Sequence, residues 1–234
     1  EKFYEITNAI SYGLLKIGVK RGDRIALIAN NAPEWNMIDF AIQQVGAICI
    51  PIYPTISHDD YDYIFKHSEA SIAFVTNKFL YSKVADIIET IPTIKDVYLI
   101  RESEGMKSLQ ELIDLGNANK DEATLEARKA EVKNEDIATI IYTSGTMGTP
   151  KGVMLTHRNI LSVVEYLCPL YPINEKHDAI SYLPLSHIYE RTVQYCHIYL
   201  GCTTYYVDNL GAIIDTMAEI KPKHFTSVPR LIEK

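Results

Sequence analysis

One twelve-residue stretch, "YTSGTMGTPKGV" from Tyr142 to Val153, concentrates the residue types that hold phosphate groups. Its glycines allow the positive φ angles with which successive backbone N–H groups turn toward one anion. Its hydroxyl groups add hydrogen-bond donors, and its lysine adds a full positive charge. An ordinary polar connection is the alternative, but a plain hairpin needs only about two to five turn residues. The stretch therefore predicts a polyphosphate-binding loop with these candidate residues: Thr143, Ser144, Gly145, Thr146, Met147, Gly148, Thr149 and Lys151.

The stretch departs from the Walker A loop, whose pattern GxxxxGK[ST] leads from a strand directly into a helix. With Lys151 aligned, Gly145 takes the first glycine position, but Pro150 stands at the second and has no N–H to offer. Gly152 stands where a Ser or Thr would bind magnesium, and the strand-like run "VML" follows. The sequence therefore argues against a Walker-type ATPase or GTPase and favours a loop between two strands.

A second candidate lies in "LPLSHIYER", residues 183–191. Pro184 ends a strand and Ser186 can cap the helix that follows, which predicts His187 in the first helical turn. An imidazole there can donate or accept a hydrogen bond with a ligand. On the residues alone, a capping or buried histidine without chemistry is the commoner outcome.

Short apolar runs alternate with amphipathic segments along the whole chain, which predicts an α/β fold with mostly parallel sheets flanked by helices. The expected organisation is a first β-α part at 1–100, a charged connecting segment at 101–136 and a second β-α part with the phosphate loop at 137–234. The connecting segment is expected to be a solvated helix or linker. Strands are predicted at 24–29, 47–52, 71–76, 96–100, 137–142, 152–155, 179–184, 202–207 and 224–228. Helices are predicted at 3–17, 33–45, 61–67, 80–91, 157–167, 187–200 and 210–220.

Composition limits the partners and the location. The formal net charge of -7 argues against nucleic acid as a partner, because phosphate backbones bind basic surfaces. The cysteines lie in apolar stretches without CxxC spacing, which predicts buried thiols and a cytoplasmic protein. No apolar run approaches the ~18 residues of a membrane span, and the sequence starts at Glu1 without a signal layout. The four cysteines are Cys49, Cys168, Cys196 and Cys202.

Residues 142–159, "YTSGTMGTPKGVMLTHRN", resemble the signature of the adenylate-forming enzymes, which include acyl-CoA synthetases, luciferases and peptide-synthetase adenylation domains. Every position of the pattern Tyr-Thr-Ser-Gly-Thr-Thr-Gly-x-Pro-Lys-Gly is met except Met147, where Thr is usual. The resemblance implies that the loop binds the β- and γ-phosphates of ATP beside Mg2+. The segment ending at His187 is similar to the family's Leu-Pro-Leu-x-His. This implies that His187 is a catalytic residue beside the acyl carboxylate and the entrance for the coenzyme A thiol.

Three further segments are similar to long-chain fatty acyl-CoA synthetases: "YPT" at 53–55, Glu190-Arg191, and "VPRLIEK" at 228–234. They imply a long-chain fatty acid as substrate. Adjacent helical residues cannot face each other, so Glu190 and Arg191 are otherwise read as two separate surface charges. An adenylating ligase for an aryl, short-chain or amino acid and a non-catalytic nucleotide-binding module are the alternatives. A helical stripe could line an acyl tunnel or belong to the core: Ile188, Thr192, Tyr195 and Tyr199.

The family's adenine, ribose and magnesium segments and its C-terminal domain with a catalytic lysine have no match in the sequence. The resemblance thus implies an N-terminal-domain fragment that is inactive alone, with fatty acid, ATP and coenzyme A as partners of the complete enzyme. Long-chain substrates partition into bilayers, which leaves room for a weak peripheral membrane contact, although no basic amphipathic helix supports one. Neither chain-length preference nor oligomeric state follows from the residues.

Overall fold

A computed structural model gives the structure of the chain and describes residues 1–143 and 149–229. The helices are α1 Lys2–Lys16, α2 Pro33–Gln44, α3 His58–Ser68, α4 Lys78–Ser82, α5 Ala85–Thr90, α6 Leu109–Ala118, α7 Glu122–Glu131, α8 His157–Leu167, α9 Ile188–Tyr199 and α10 Ile213–Ile220. The strands are β1 Arg24–Ile28, β2 Ile48–Ile52, β3 Ile72–Val75, β4 Asp96–Leu99, β5 Ile137–Thr143, β6 Lys151–Thr156, β7 Asp178–Ser181, β8 Thr203–Tyr206 and β9 His224–Phe225.

The chain forms two compact units. The first contains residues 1–29 and 34–157, and the second contains residues 30–33 together with the chain from Arg158 onward. This division differs from the expected one, in which residues 137–234 formed a single part. β5 and β6 belong to the first unit because they complete its sheet.

The first unit is built on a six-stranded sheet in the order β4-β3-β1-β2-β5-β6. All neighbouring strands are parallel except β5 and β6, which are antiparallel. β1, β2 and β3 are almost completely buried, as expected for parallel strands covered on both faces. The predicted α/β fold with a mostly parallel sheet is confirmed.

The segment at 101–136 contains two helices of different character. Ser108 caps α6 by accepting a hydrogen bond from the backbone N–H of Glu111, and α6 then buries Leu109 and Leu112. Most of α7 is exposed, and only Leu125 is buried. The expectation of a solvated helix therefore describes α7, whereas α6 is part of the packed unit.

The helix predicted at 80–91 is wrong as one element, because the structure divides it into α4 and α5. The backbone N–H groups of Lys83 and Val84 bond to the carbonyls three residues earlier, which tightens the end of α4. Val84 is thereby turned into the core, where it is fully buried. Periodicity alone did not show this break, since both halves keep apolar residues facing inward.

The second unit contains a three-stranded parallel sheet in the order β8-β7-β9. α10 packs on it through Ile213, which joins Ile180 and Val207 in an apolar cluster. β9 has two residues, shorter than the predicted 224–228, and a 3-10 turn at Leu210–Ala212 precedes α10. Across the described parts of both units, every helix is too short or too polar to span a bilayer.

Close packing between α1 and α6 yields a stability prediction. A Cβ added at Gly116 would lie 1.8 Å from the carbonyl oxygen of Ala9 and 2.8 Å from the nitrogen of Gly13. Gly to Ala normally stabilises a helix by ~0.5–1 kcal/mol. Here we expect Gly116→Ala to lower the free energy of unfolding by ~2 kcal/mol, because overpacking forces the helices apart. Thermal unfolding checks this.

The matched control is Asn117→Ala, one residue further along α6, where the side chain is exposed. It should leave the midpoint unchanged or raise it slightly, because Ala is the better helix former. A Gly116→Ala midpoint at or above that of the control would contradict the packing argument.

Candidate active site

The two ends of the predicted phosphate loop lie side by side. Thr143, the last residue of β5, is the register partner of Lys151, the first residue of β6. Thr143, Thr149 and Lys151 are all exposed. The structure thus brings three of the predicted binding residues to one rim; Ser144, Gly145, Thr146, Met147 and Gly148 lie outside the described residues.

The strand after Lys151 decides the comparison with a Walker A loop. β6 continues for six residues to Thr156, and α8 begins only at His157. A Walker A lysine lies instead at the start of a helix, where its N-terminal N–H groups meet the phosphate. The predicted strand-to-strand loop is confirmed, so a Walker-type NTPase does not fit this chain.

Tyr142 anchors the base of the loop. It is the register partner of Gly152, and a Cβ at position 152 would lie 3.4 Å from the Tyr142 ring and 2.9 Å from Ile140. Gly152 therefore leaves room for the Ile140 side chain, with the Tyr142 ring beside it. A 2.7 Å hydrogen bond joins the Tyr142 hydroxyl to Nδ1 of His67 on α3, and burial raises the pKa of Tyr142 to about 12. The loop base is tied to α3 by a hydroxyl that keeps its proton.

His187 belongs to the second unit and is exposed. It is the N-cap of α9, one residue before the predicted first turn: its Nδ1 accepts a 3.2 Å hydrogen bond from the backbone N–H of Tyr189. This bond places the ring proton on Nε2, which leaves Nε2 as the ring atom free to donate. The predicted capping role of Ser186 is wrong, because its hydroxyl is buried and, among described residues, has no hydrogen-bond partner.

The prediction that Glu190 and Arg191 are two surface charges is wrong, because both residues are completely buried. Glu190 accepts hydrogen bonds from Ser181 (2.6 Å), Thr226 (2.8 Å) and Gln194 (3.1 Å). Burial raises the pKa of the Glu190 carboxyl, and the three hydrogen bonds act in the opposite direction. Nε of Arg191 donates to the Tyr195 hydroxyl at 2.8 Å. Their adjacent positions on a helix exclude an ion pair between Glu190 and Arg191, but these positions do not show whether the two side chains are buried.

Gln194 extends this network to a pair of histidines. Its Nε2 lies 3.3 Å from Nδ1 of His197, and Nε2 of His197 lies 3.1 Å from Nδ1 of His224. Burial, and then the charge of His224, lower the pKa of His197 to about 4. Burial also lowers the pKa of His224. Both rings are therefore neutral near pH 7.

Some of the remaining residues singled out from the sequence are buried, and others are exposed. Thr192 and Tyr195 of the proposed tunnel stripe are buried, whereas Tyr199 is 74% exposed and does not continue it. Three of the cysteines are buried as predicted, but Cys202 is half-buried. Within the described ranges, no cluster of three or more histidine, cysteine or acidic side chains is arranged as a metal site.

A model described as "AMP-binding enzyme" matches residues 1–234. The chain belongs to the AMP-binding enzyme family. It is 33% identical to a long-chain-fatty-acid–CoA ligase of Mycobacterium bovis over 97% of the chain and 38% of that relative. The chain therefore spans little more than a third of the length of this curated relative. The family resemblance predicted from the sequence is confirmed.

Solved structures agree on the fold of this AMP-binding chain. A long-chain-fatty-acid-CoA ligase from Archaeoglobus fulgidus superposes with a TM-score of 0.85 at 24% identity, over 99% of this chain and 45% of that one. An anthranilate CoA ligase in complex with anthranoyl-AMP gives 0.83 at 23% identity, over 95% and 43% of the two chains. Proteins named for a fatty acid and for an aromatic acid share the fold, so the fold alone leaves the acid undecided.

Sequence reasoning missed several residues around these sites in the AMP-binding chain. His67 was assigned no role, and Asn31 and Ser181 were not singled out. Asn31 bonds to the segment before His187, and Ser181 bonds to Asn31 and to Glu190. A buried polar side chain leaves no spacing signal when its partners are distant in sequence. Asn31 lies about 150 residues before its partners, and only its position between a strand and Pro33 could have marked it.

The low pKa of His197 predicts an acid-dependent loss of stability. In the unfolded chain this histidine takes up a proton near pH 6.5, but in the folded protein only near pH 4. Its contribution is therefore present above pH 6.5 and is lost as the pH falls toward 4, by up to ~3 kcal/mol. We expect His197→Gln to be less stable than wild type at pH 7, with a difference that shrinks toward pH 4.

Chemical denaturation of both proteins across this pH range measures the difference directly. Carboxyl groups that titrate in the same range and lie outside the hydrogen-bond network of Glu190, Gln194 and His197 contribute equally to wild type and variant and therefore cancel. A constant difference between the two curves from pH 7 to pH 4 would show that His197 is not the group responsible.

Proposed function

We propose that this chain forms part of a long-chain fatty acyl-CoA synthetase. The observation that carries the proposal is the strand-to-strand loop, with Thr143, Thr149 and Lys151 exposed at its rim, in a chain of the AMP-binding family. The names of the curated relatives support a long-chain fatty acid as the substrate. The complete enzyme would take a fatty acid, ATP and coenzyme A.

Two transfers make up the proposed reaction. A carboxylate oxygen of the fatty acid attacks the α-phosphorus of ATP, and the bond to the β-phosphate oxygen breaks to release pyrophosphate. The thiolate sulfur of coenzyme A then attacks the acyl carbon and AMP leaves. Charge builds up on the leaving pyrophosphate, so preorganised donors around it provide most of the catalysis.

The loop would supply those donors. Lys151 brings a positive charge to the rim, and the hydroxyls of Thr143 and Thr149 bring neutral donors beside it. Ser144, Gly145, Thr146, Met147 and Gly148 complete the proposed loop. Mg2+ bound to the phosphates would neutralise further charge. The hydroxyl oxygens of Thr143 and Thr149 would lie beside a metal held by the phosphates of the nucleotide.

His187 would orient the acyl group. Its Nδ1 is occupied by the backbone of α9, so Nε2–H is available to donate to a carboxylate oxygen. A hydrogen bond there would hold the carboxylate for attack and then polarise the acyl carbonyl for thiolysis. The proposal includes a cytoplasmic location, which fits cysteine side chains present as thiols.

Lys151 provides the first test, in the complete protein. We expect Lys151→Ala to reduce fatty-acid-dependent ATP–pyrophosphate exchange by about a hundredfold, the usual cost of removing one preorganised donor. Lys78→Ala is the matched control, since Lys78 is an exposed lysine at the start of α4. Equal rates in the two variants would rule out Lys151 as a phosphate ligand.

His187→Asn separates chemistry from helix capping. Asn is a good N-cap residue, so the variant can accept the Tyr189 N–H bond but lacks Nε2. We expect an unchanged thermal midpoint with at least a tenfold slower adenylation or thioester formation, measured separately. Wild-type rates in both half-reactions would exclude the proposed role.

The acid substrate is tested by a chain-length series in the same exchange assay, with acetate, benzoate and amino acids included. Exchange that rises with fatty acids of long chain supports the proposal. Exchange only with acetate, aromatic or amino acids would reassign the chain to another acid ligase, and no exchange with any acid would favour a nucleotide-binding module.

A further inference from the structure

The turn that leads to His187 is held by a side chain from a distant part of the sequence. Nδ2 of Asn31 donates to the carbonyl oxygen of Leu183 at 2.7 Å, and Oδ1 of Asn31 accepts from the backbone N–H of Leu185 at 3.1 Å. Asn31 follows β1 in the chain but belongs to the second unit, as does His187. These contacts thus lie within one compact unit.

The amide of Asn31 takes the place of a neighbouring strand. β7 ends at Ser181, and Pro184 between the two bonded residues has no N–H, so the backbone after β7 cannot continue an ordinary ladder. One primary amide supplies a donor and an acceptor about as far apart as those of a peptide group. It satisfies a carbonyl and an N–H two residues apart, as a strand partner would. The turn becomes a fixed element.

Ser181 connects the Asn31 side chain to the helix that follows His187. Its hydroxyl accepts from Nδ2 of Asn31 at 3.3 Å and donates to Oε1 of Glu190 at 2.6 Å. Leu185 lies two residues before His187, and Glu190 lies three residues after it. Both ends of the short segment that carries His187 are therefore tied to the same buried hydrogen-bond chain.

Both polar atoms of the Asn31 side chain form hydrogen bonds within the protein. Its two amide hydrogens serve Leu183 and Ser181, and its oxygen serves Leu185. The residue is 9% exposed. Asn31 thus has no free donor for a substrate, and its influence on chemistry must pass through the backbone that it holds.

We propose that Asn31 is a positioning residue for His187: its amide fixes the turn at 183–187 so that Nε2 of His187 points to a constant place. This inference rests on the proposed role of His187 in acyl transfer. Reacting groups displaced by about 1 Å lose up to about a hundredfold in rate, so a loosened turn should be visible in catalysis.

A double-mutant cycle in the complete protein tests the coupling. We expect Asn31→Ala to slow fatty-acid-dependent ATP–pyrophosphate exchange at least tenfold with an unchanged KM for ATP. In the His187→Asn background the same substitution should slow exchange less than twofold, because the group that it positions is already absent. Asn117→Ala, which removes an exposed amide in the other unit, should have no effect in either background.

A second measurement applies to variants whose activity is too low for the double-mutant cycle. In protein labelled with 15N only at histidine, the His187 signal is assigned by its absence from His187→Asn. Asn31→Ala should shift or broaden this signal and leave that of His58, an exposed histidine of the first unit, unchanged. Ser181→Ala, which breaks the link to Glu190 by removing one hydroxyl, should shift it in the same way and serves if Asn31→Ala does not fold.

The outcomes distinguish the positioning role of Asn31 from the proposed function. Equal losses from Asn31→Ala in both backgrounds, or an unmoved His187 signal, overturn the positioning role while leaving the proposed function in place. Absence of acid-dependent exchange in the wild type, or a fully active His187→Asn, overturns the proposed function or the role of His187 itself. A non-additive cycle together with a shifted His187 signal supports the positioning role.

Discussion

The antiparallel pairing of β5 with β6 is the constraint on which the first unit's candidate site depends. In a sheet that is otherwise parallel, this one reversal brings the two ends of a nine-residue connection into register, with Thr143 opposite Lys151. Gly152 permits this pairing, because a Cβ at that position would lie only 2.9 Å from Ile140, with the Tyr142 ring beside it at 3.4 Å. The hydroxyl of that ring is bonded to His67 on α3, so the loop begins and ends on a rigid base. A loop that must close over phosphates gains precision when its ends cannot move apart.

The second unit follows a different physical rule. Glu190 and Arg191 are buried, and removing such groups from water costs free energy unless each polar atom is satisfied. The carboxylate of Glu190 is satisfied by three side chains from β7, α9 and the segment after β9. Hydrophobic contacts would tolerate small shifts of α9, but hydrogen bonds of this geometry do not. The network therefore specifies the position of α9, and with it that of its N-cap residue His187.

The two halves of the proposed chemistry are thus supported in different ways. The proposed phosphate loop relies on strand pairing and a glycine, and its candidate donors lie at an exposed rim. His187, proposed to act on the acyl group, relies on a buried polar network and presents a single ring nitrogen. Pyrophosphate needs many donors around a large charge, whereas a carboxylate needs one well-placed donor. The way in which each site is held in place therefore matches the number of donors that its proposed ligand needs.

The sequence by itself determined the α/β alternation, the strand-to-strand character of the loop and the family, because these depend on local periodicity, on Pro150 and Gly152, and on contiguous motifs. Tertiary structure alone decided the break between α4 and α5, the burial of α6 against α1, and the antiparallel placement of β6. It also decided that Glu190 and Arg191 are core residues and that Asn31 holds the turn before His187. Helical spacing shows which residues share a face but not what covers that face. A hydrogen bond between residues about 150 positions apart is specified only when the fold brings them together.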